Sequence, residues 1–394
     1  MILIVILISL LLGFGLLEYA LHLHNIKSIP VRIHVNGTRG KSSITRLIAA
    51  GLRAGGIRAV GKATGTLPRF IDTEGNELSI FRISKANVRE QLTIIAKAAK
   101  LKAQAIVIEC MAVQPRLQYV TEKLMVRSTV GIITNARHDH LDVMGPTVYD
   151  VAEALSATVP GKGILFTAEH DPVCLAIFQK RCRERKTRMV EVKDEGVSDE
   201  NMKGFSYLEH RENVAVALAV CSHLGVDKMK ALSGMYQTKP DPGVLRISSV
   251  QRDGKEIVFI NAMAANDPDS TLGIWQRVLG LKDRSEGQKI IVLVNARLDR
   301  MQRSEQLAEM MAKSLPASYY ILVGSSTFVI KQKAWRMGLS LDKIIDMGGD
   351  SQSQVVEKLW QLTDNSSMVF AIGNIATIGL ELSRYFQGKE SIDA

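Results

Sequence analysis

From residue 31 onward, short apolar runs alternate with segments whose apolar residues recur every three or four positions. A short apolar run bounded by glycine or proline indicates a buried strand, and the longer period indicates a helix with one apolar face. Strands that alternate with helices predict an α/β fold with a mainly parallel sheet. The predicted strands are residues 31–35, 57–60, 105–110, 129–134, 163–167, 189–192, 257–261, 290–295, 320–323 and 369–372.

Helices are predicted at about residues 42–54, 87–100 and 211–224. The stretch at residues 236–243 contains P-D-P-G and is typical of a linker. The pattern therefore predicts a doubly wound domain at residues 30–240 and a smaller α/β domain at residues 244–394.

The first 17 residues are apolar apart from Ser9, and the apolar run resumes after Glu18. This length is enough for a transmembrane helix, and neither a basic N-terminal region nor a cleavage motif for a signal peptide is evident. We expect a membrane anchor at residues 1–24, and a buried core helix is the alternative. The basic residues that follow, such as Lys27 and Arg32, predict that the rest of the chain stays in the cytoplasm.

Residues 31–43 read V-R-I-H-V-N-G-T-R-G-K-S-S, a strand followed by a glycine-containing loop and the start of a helix. Glycine lets backbone amides converge on an anion, and the lysine and serine suit a phosphate and Mg²⁺. A full Walker pattern would require glycine at position 35, where Val35 stands. An ordinary strand-turn-helix is the alternative to nucleotide binding. The predicted nucleotide-binding residues here are Asn36, Gly37, Thr38, Arg39, Gly40, Lys41, Ser42 and Ser43.

Polar residues follow two of the predicted strands, where ligands bind in parallel sheets. Glu109 ends the run A-I-V-I and is a candidate Mg²⁺ ligand, with capping of a helix as its alternative. His138, Asp139, His140 and Asp142 follow the strand at 129–134. They favour a phosphate or Mg²⁺ role over a closed zinc site, and mutual capping of the turn is the structural alternative.

The formal net charge of +10 suits an acidic partner, such as a nucleotide, a polyanionic product or anionic lipid. Nucleic acid is the weaker candidate, because there is no zinc-finger spacing and aromatic residues are few. The four scattered cysteines include no C-x-x-C pair and are typical of a reducing compartment.

Five elements, taken together, resemble the Mur ligases and folylpolyglutamate synthetases over nearly all of residues 31–394. These are G-T-R-G-K-S-S at 37–43, Glu109, N-A-R-H-D-H-L-D at 135–142, Asn213 and Leu245-Arg246. The N-terminal apolar segment, E-C-M-A-V at 109–113, P-D-P-G at 240–243 and A-A-N-D at 264–267 make the chain most similar to the ligase subunits of poly-γ-glutamate synthases, the PgsB or CapB type.

The resemblance implies ATP and Mg²⁺ as cofactors. It implies catalytic roles for Lys41, Glu109, His140 and Arg246, and Mg²⁺ ligation by Ser42, Glu109 and His140. Asn213 and Arg246 would contact ATP. Thr64, Asn266, Arg297 and Arg300 would contact the substrate.

The implied reaction is ATP-dependent polymerisation of glutamate into poly-γ-glutamate through an acyl phosphate, with release of ADP and phosphate. The implied partners are glutamate, the growing polymer and membrane-protein subunits of a synthase complex, without nucleic acid; the sequence also allows a homo-oligomer. Two alternatives stay open: a Mur-like ligase that uses another amino acid, and a membrane-anchored ATPase that energises transport.

Overall fold

The computed structural model describes residues 2–65, 67–82, 86–207, 209–240, 245–263, 265, 268–280, 288–298 and 301–388. The chain divides into two compact units, Met1–Lys239 and Pro240–Ala394, which we call the N-terminal and C-terminal units. Each unit has its own sheet and its own apolar core. Residues 241–243 of the predicted linker lie outside the described residues.

The sheet of the N-terminal unit has eight strands among the described residues, in the order β4-β3-β2-β5-β1-β6-β7-β8. Strands β2, β5, β1, β6, β7 and β8 pair in parallel, whereas β3 pairs antiparallel with β2, and β4 pairs antiparallel with β3. The strands are β1 (Val31–Asn36), β2 (Ala59–Ala63), β3 (Arg69–Ile71), β4 (Glu77–Ser79), β5 (Ala105–Glu109), β6 (Val130–Ile133), β7 (Ile164–Thr167) and β8 (Arg188–Glu191).

Helices cover both faces of this sheet, which confirms the expected doubly wound arrangement. The helices are α1 (Ile2–Ser28), α2 (Lys41–Ala54), α3 (Glu90–Lys100), α4 (Pro115–Val120), α5 (Leu141–Met144), α6 (Val148–Ser156), α7 (Pro172–Arg185), α8 (Asp199–Lys203), α9 (Arg211–His223) and α10 (Lys228–Tyr236), with a π-helix at Thr121–Val126 and a 3-10 turn at Asp194–Gly196. Helices α2, α9 and α10 pack on one face. The C-terminal end of α1 packs on the other face, together with helices α3, α6 and α7. These helices contact the alternate set of strand residues.

The C-terminal unit is a second α/β sandwich around a sheet of order β13-β12-β11-β14-β10-β9, in which only β9 is antiparallel among the described strands. Its strands are β9 (Arg246–Arg252), β10 (Lys255–Asn261), β11 (Lys289–Ala296), β12 (Tyr319–Gly324), β13 (Ile344–Gly348) and β14 (Ser366–Gly373). Its helices are α11 (Pro268–Leu279), α12 (Met301–Lys313), α13 (Thr327–Arg336), α14 (Gln352–Leu362) and α15 (Ile378–Phe386), with a 3-10 turn at Leu341–Lys343.

Helix α1 is long and apolar enough to cross a membrane, with a mean hydropathy of 2.5, and none of its most apolar window is buried. The last turns of α1, in contrast, contribute to the core of the unit. Ile26 is buried, as is Ile29 just beyond the helix, and both join the apolar cluster beneath α3. The anchor predicted at residues 1–24 is thus part of a longer helix whose end belongs to the core of the N-terminal unit.

Four strands of the structure were not predicted from the pattern: β3, β4, β9 and β13. Strands β3 and β4 have three residues each, which is too short to show an alternation of apolar and polar residues. The strand predicted at residues 57–60 was wrong at its end, because β2 runs to Ala63. Its polar Lys62 is accommodated inside by a buried ion pair with Glu90.

Candidate active site

The glycine loop joins β1 to α2 at the carboxyl edge of the parallel sheet. Gly37 has φ +126°, and a Cβ there would lie 2.0 Å from Thr134 Oγ1. Gly40 has φ +82°, and a Cβ there would lie 2.4 Å from Asn213 Oδ1. Only glycine fits either position, so the loop backbone can approach its surroundings closely. The first amides of α2 follow directly, as in an anion-binding loop.

Side chains after β6 hold the loop in this shape. Thr134 Oγ1 donates to the carbonyl of Arg39 at 2.6 Å. Asn135 Oδ1 accepts from Thr38 Oγ1 at 2.7 Å and from the Arg39 amide at 3.1 Å. The predicted ligand Thr38 thus uses its hydroxyl within the protein. Thr134 and Asn135 were not singled out as loop supports, because their partners lie almost a hundred residues away in the sequence.

Lys41 lies over the loop that precedes it. Its Nζ donates to the carbonyl of Gly37 at 2.6 Å and to that of Thr38 at 3.3 Å. The ammonium therefore lies beside the amides that would face a phosphate, and it would be available to a bound anion. Ser43 follows in the first turn of α2 and is half-buried.

Glu109, Ser42 and Thr64 meet beside the loop. Parallel pairing of β1 with β5 places Val35 opposite Glu109, so both strands end at the same edge. The buried Glu109 carboxylate accepts from Ser42 Oγ at 2.8 Å and from the Thr64 amide at 2.5 Å. The backbone carbonyl of Glu109 accepts from Gln91 Nε2 at 3.2 Å, which fixes the end of the strand.

This donor set fits a hard divalent cation. Magnesium prefers a few protein oxygen ligands together with phosphate oxygens and water, and Glu109 and Ser42 provide a carboxylate and a hydroxyl next to a phosphate loop. Within the described parts of the chain, no three His, Cys, Asp or Glu side chains cluster as an all-protein metal site. The geometry thus suits a cation shared with a nucleotide.

His140 lies on the segment that follows β6 and has φ +48° at the start of α5. Its Nε2 is 3.9 Å from Asp139 Oδ1, and Asp139 Oδ2 accepts from Arg39 Nη1 at 3.3 Å. The side chain of His140 is about one third exposed, at 35%. Arg39 therefore connects the glycine loop to the segment that carries His140, whose metal role stays a prediction.

A buried carboxylate that the sequence reasoning missed, Glu169, holds this segment to the end of β7. It accepts from the Ala136 amide at 2.6 Å and pairs with Arg137 at 3.1 Å. Burial alone would raise the pKa of Glu169, but three backbone amides and the Arg137 guanidinium lower it below its usual value. Glu169 therefore acts as a fixed negative charge.

Asn213 lies in the first turn of α9, with its Oδ1 beside Gly40. Its Nδ2 donates to Glu209 Oε1 at 2.8 Å, and the same oxygen accepts from the His210 amide. Its contact with ATP stays a prediction, and its side chain lies against the glycine loop. Asn36 is also buried, but its Nδ2 donates to side chains outside the glycine loop, Gln118 Oε1 at 2.8 Å and Thr158 Oγ1 at 3.1 Å.

In the C-terminal unit, Arg297 lines an open cleft of about 590 Å³ where β11 and β12 end. The other lining residues are Ala296, Leu298, Gly324, Ser325 and Thr377. Arg246 starts β9, and its Nη1 donates to Gln387 Oε1 at 3.2 Å. The predicted substrate residues Asn266 and Arg300 lie outside the described residues.

Comparison with known proteins defines the family. The family model for the Mur ligase middle domain matches residues 35–235, and that for the poly-gamma-glutamate synthase CapB C-terminal domain matches residues 247–389. The PGA synthase CapB of Bacillus subtilis (strain 168) is 35% identical over 376 residues, which cover 95% of this chain and 94% of that protein. The chain belongs to the CapB family of poly-γ-glutamate synthases.

Another CapB relative, the capsule biosynthesis protein CapB of Bacillus anthracis, is 36% identical over 366 residues, which cover 92% of this chain and 77% of that protein. Among solved structures, the bifunctional folylpolyglutamate synthase/dihydrofolate synthase of Yersinia pestis, complexed with AMPPNP and a manganese ion, superposes with a TM-score of 0.68. It is 16% identical, and the match covers 93% of this chain and 92% of that one. Membership of the CapB family and its Mur ligase domain makes this chain an ATP-dependent amide ligase.

Proposed function

We propose that this ligase lengthens poly-γ-glutamate by activating a glutamyl γ-carboxylate with ATP and joining it to the amine of another glutamate. The observation that carries the proposal is the meeting of Ser42, Glu109 and the Thr64 amide beside a glycine loop with Lys41. In a CapB family chain, this arrangement suits phosphoryl transfer to a carboxylate.

The reaction needs activation because a carboxylate is a poor electrophile. Transfer of the terminal phosphoryl group of ATP forms a P–O bond to the carboxylate and leaves ADP. The amine nitrogen then attacks the carbonyl carbon, the C–O bond to phosphate breaks, and inorganic phosphate leaves as the amine loses its proton. Charge stabilisation and positioning supply most of the rate in phosphoryl transfer.

The residues of the glycine loop would perform that positioning. The amides of Gly37, Gly40 and the first turn of α2 would bind the phosphates, and Lys41 would move from the loop carbonyls to neutralise them. Arg246 and Asn213 would also contact ATP. In the C-terminal unit, Arg297 would bind a carboxylate of the incoming amino acid in the cleft that it lines. Asn266 and Arg300, which lie outside the described residues, stay predicted contacts of the substrate.

We assign Mg²⁺ as the metal, with Ser42 and Glu109 as ligands and His140 as a ligand of a second ion. When bound, Mg²⁺ supplies neutralisation of the phosphate charge. Thr64 would fix the carboxylate of Glu109 through its amide and would approach the substrate with its side chain. These roles agree with the oxygen-rich donor set described above.

We further propose that α1 anchors the chain in the cell membrane with both units in the cytoplasm, where ATP is found. Its length, its mean hydropathy of 2.5 and the basic residues that follow it support this orientation. A polymer-synthesising ligase at a membrane would work with membrane-protein subunits. The net charge of +10 suits a polyanionic product.

Incubation of the detergent-solubilised chain with ATP, Mg²⁺ and glutamate, with membrane added as a source of partner subunits, should yield ADP, phosphate and γ-linked oligomers. Hydroxylamine should trap the activated carboxylate as a hydroxamate. Formation of AMP, or amide products with other amino acids but not with glutamate, would contradict the proposal. ATP turnover that is indifferent to any amino acid would instead favour an ATPase that energises transport.

A further inference from the structure

Helix α1 is clamped to the N-terminal unit over one turn, at residues 18–22. Arg89 Nη2 donates to Glu18 Oε1 at 2.6 Å, and Arg127 Nη2 donates to the Tyr19 hydroxyl at 2.9 Å. Further along the same turn, His22 Nε2 donates to the carbonyl of Met125 at 2.9 Å. The helix is therefore tied to the unit from residue 18 onward, and its residues up to Leu21 remain exposed.

The part of α1 that precedes the clamp is too short to cross a bilayer alone. Residues 2–17 form sixteen helical residues, a rise of about 24 Å, whereas the hydrocarbon core is roughly 30 Å thick and needs about 20 residues. A spanning α1 must therefore draw residues 18–21 to the boundary of the hydrocarbon. The clamp residues Arg89 and Arg127 then lie at the depth of the lipid headgroups.

The clamp has the chemistry expected at that depth. The charge of Glu18 is paired with an arginine, and Tyr19 presents an aromatic ring with a hydrogen-bonded hydroxyl, as interfacial tyrosines do. Near Arg89, Arg82 pairs with Glu90 in the first turn of α3, and the adjacent Phe81 is 87% exposed. A protruding aromatic ring among arginines suits an anionic lipid surface better than water.

We propose that the surface formed by Phe81, Arg82, Arg89 and Arg127 rests on the anionic headgroups of the bilayer that α1 spans. This inference rests on the membrane anchoring proposed above and adds which face of the N-terminal unit meets the lipid. We call it the headgroup face.

The headgroup face adjoins the candidate active site. Arg89 immediately precedes α3, whose Gln91 donates to the carbonyl of Glu109. Glu90 pairs with the buried Lys62 near the end of β2, two residues before Thr64. Arg89 therefore places one end of the headgroup face beside the proposed site of synthesis, from which a polymer could pass directly to membrane subunits.

A fluorescent label at position 81 tests the headgroup face. The native cysteines Cys110, Cys174, Cys182 and Cys221 are all buried, so an exposed introduced cysteine can be labelled selectively. We would compare Phe81→Cys with Met229→Cys, a control whose side chain is 64% exposed on α10, on the opposite face of the sheet. The full-length chain would be reconstituted into vesicles that contain nitroxide-headgroup lipid as a quencher.

We expect the label at position 81 to be quenched several-fold more than the label at 229. The difference should be larger in phosphatidylcholine vesicles with about one third phosphatidylglycerol than in phosphatidylcholine alone. Adding Arg89→Glu, which opposes Glu18, should reduce the quenching at 81 several-fold. Arg183→Glu, an exposed arginine on α7, should not.

Equal quenching at 81 and 229, in vesicles where the chain resists alkaline extraction, would overturn the headgroup face and leave the anchor intact. Quenching at 81 that is the same in neutral and anionic vesicles would overturn the role of its arginines. Extraction of the chain at alkaline pH would overturn the anchor itself, and the headgroup face with it. None of these results depends on ligase activity, so a failed ligase assay remains a separate outcome.

Discussion

At the scale of single residues, Glu109 is the side chain on which the proposed metal site depends most. Glu109→Gln keeps the shape and the hydrogen bond from Ser42 but removes the charge that a divalent cation needs. We expect kcat/KM for ATP to fall about 100-fold, which is roughly 2.7 kcal/mol in the barrier. We also expect half-saturation at a higher Mg²⁺ concentration. Steady-state kinetics over a Mg²⁺ series would measure both quantities.

Glu191→Gln is the matched control, because that carboxylate also ends a strand of the same sheet but is exposed. It should leave the Mg²⁺ dependence unchanged. A Glu109→Gln variant with the Mg²⁺ dependence of the native protein would rule out the assigned metal ligand.

The buried His34 should make the stability of the folded protein depend on pH. It is fully buried in β1, with Nδ1 2.7 Å from Glu122 Oε2. Burial alone would lower its pKa, but interactions with Cys110 and Glu122 raise it to about 9. Because the folded pKa exceeds the unfolded value of about 6.5, the stabilisation is fully present below that pH and is lost as pH rises through about 9.

The loss should be on the order of 3 kcal/mol, measured as a fall in the midpoint of thermal unfolding between about pH 6 and pH 10. His34→Gln should flatten this fall. His170→Gln, at an exposed histidine, should retain it. Equal slopes for His34→Gln and the native protein would show that His34 does not carry the effect.

Gly37 tests the shape of the phosphate loop. Gly37→Ala would place a Cβ 2.0 Å from Thr134 Oγ1 at φ +126°, so the loop or the Thr134 side chain must shift. We expect a stability loss of about 1–3 kcal/mol and a nucleotide affinity at least tenfold lower by calorimetry. Gly161→Ala has open space and should change neither. Normal nucleotide affinity in Gly37→Ala would mean that the loop does not bind phosphate.

At the scale of elements, the sequence predicted what depends on local pattern. Alternating apolar runs gave the parallel strands, and the rule that ligands lie at strand ends pointed to Glu109 before its contact with Ser42 was visible. Side-chain contacts between residues far apart in the sequence were not predicted. Glu122 pairs with His34 across 88 residues, and Asn135 holds a loop about a hundred residues earlier. No period along the chain encodes which distant side chain completes such a pair.

Helix α1 combines two roles that truncation can separate. Removal of residues 2–17 deletes exposed apolar residues and should leave a folded, soluble protein. Removal of residues 2–29 also deletes the buried Ile26 and Ile29 and opens the cluster beneath α3. The longer truncation should be less stable by about 4 kcal/mol or more in urea unfolding. Equal stability of the two truncations would contradict a structural role for the end of α1.

At the scale of the whole molecule, the two units divide the proposed chemistry. The N-terminal unit carries the glycine loop, Lys41 and the Ser42–Glu109 contact, and the C-terminal unit carries the cleft with Arg297. Family membership supports amide synthesis, and the residues beside the loop support activation of a carboxylate by ATP. The central claim is that this activation goes through an acyl phosphate.

Glutamate labelled with a heavy oxygen isotope in its γ-carboxylate tests that claim most directly. If the carboxylate is phosphorylated and then attacked by an amine, one labelled oxygen per amide bond must leave with the phosphate. Mass spectrometry of the inorganic phosphate should therefore find one heavy oxygen for each γ-amide formed. Unlabelled phosphate accompanied by amide formation, or label recovered in AMP, would contradict the account.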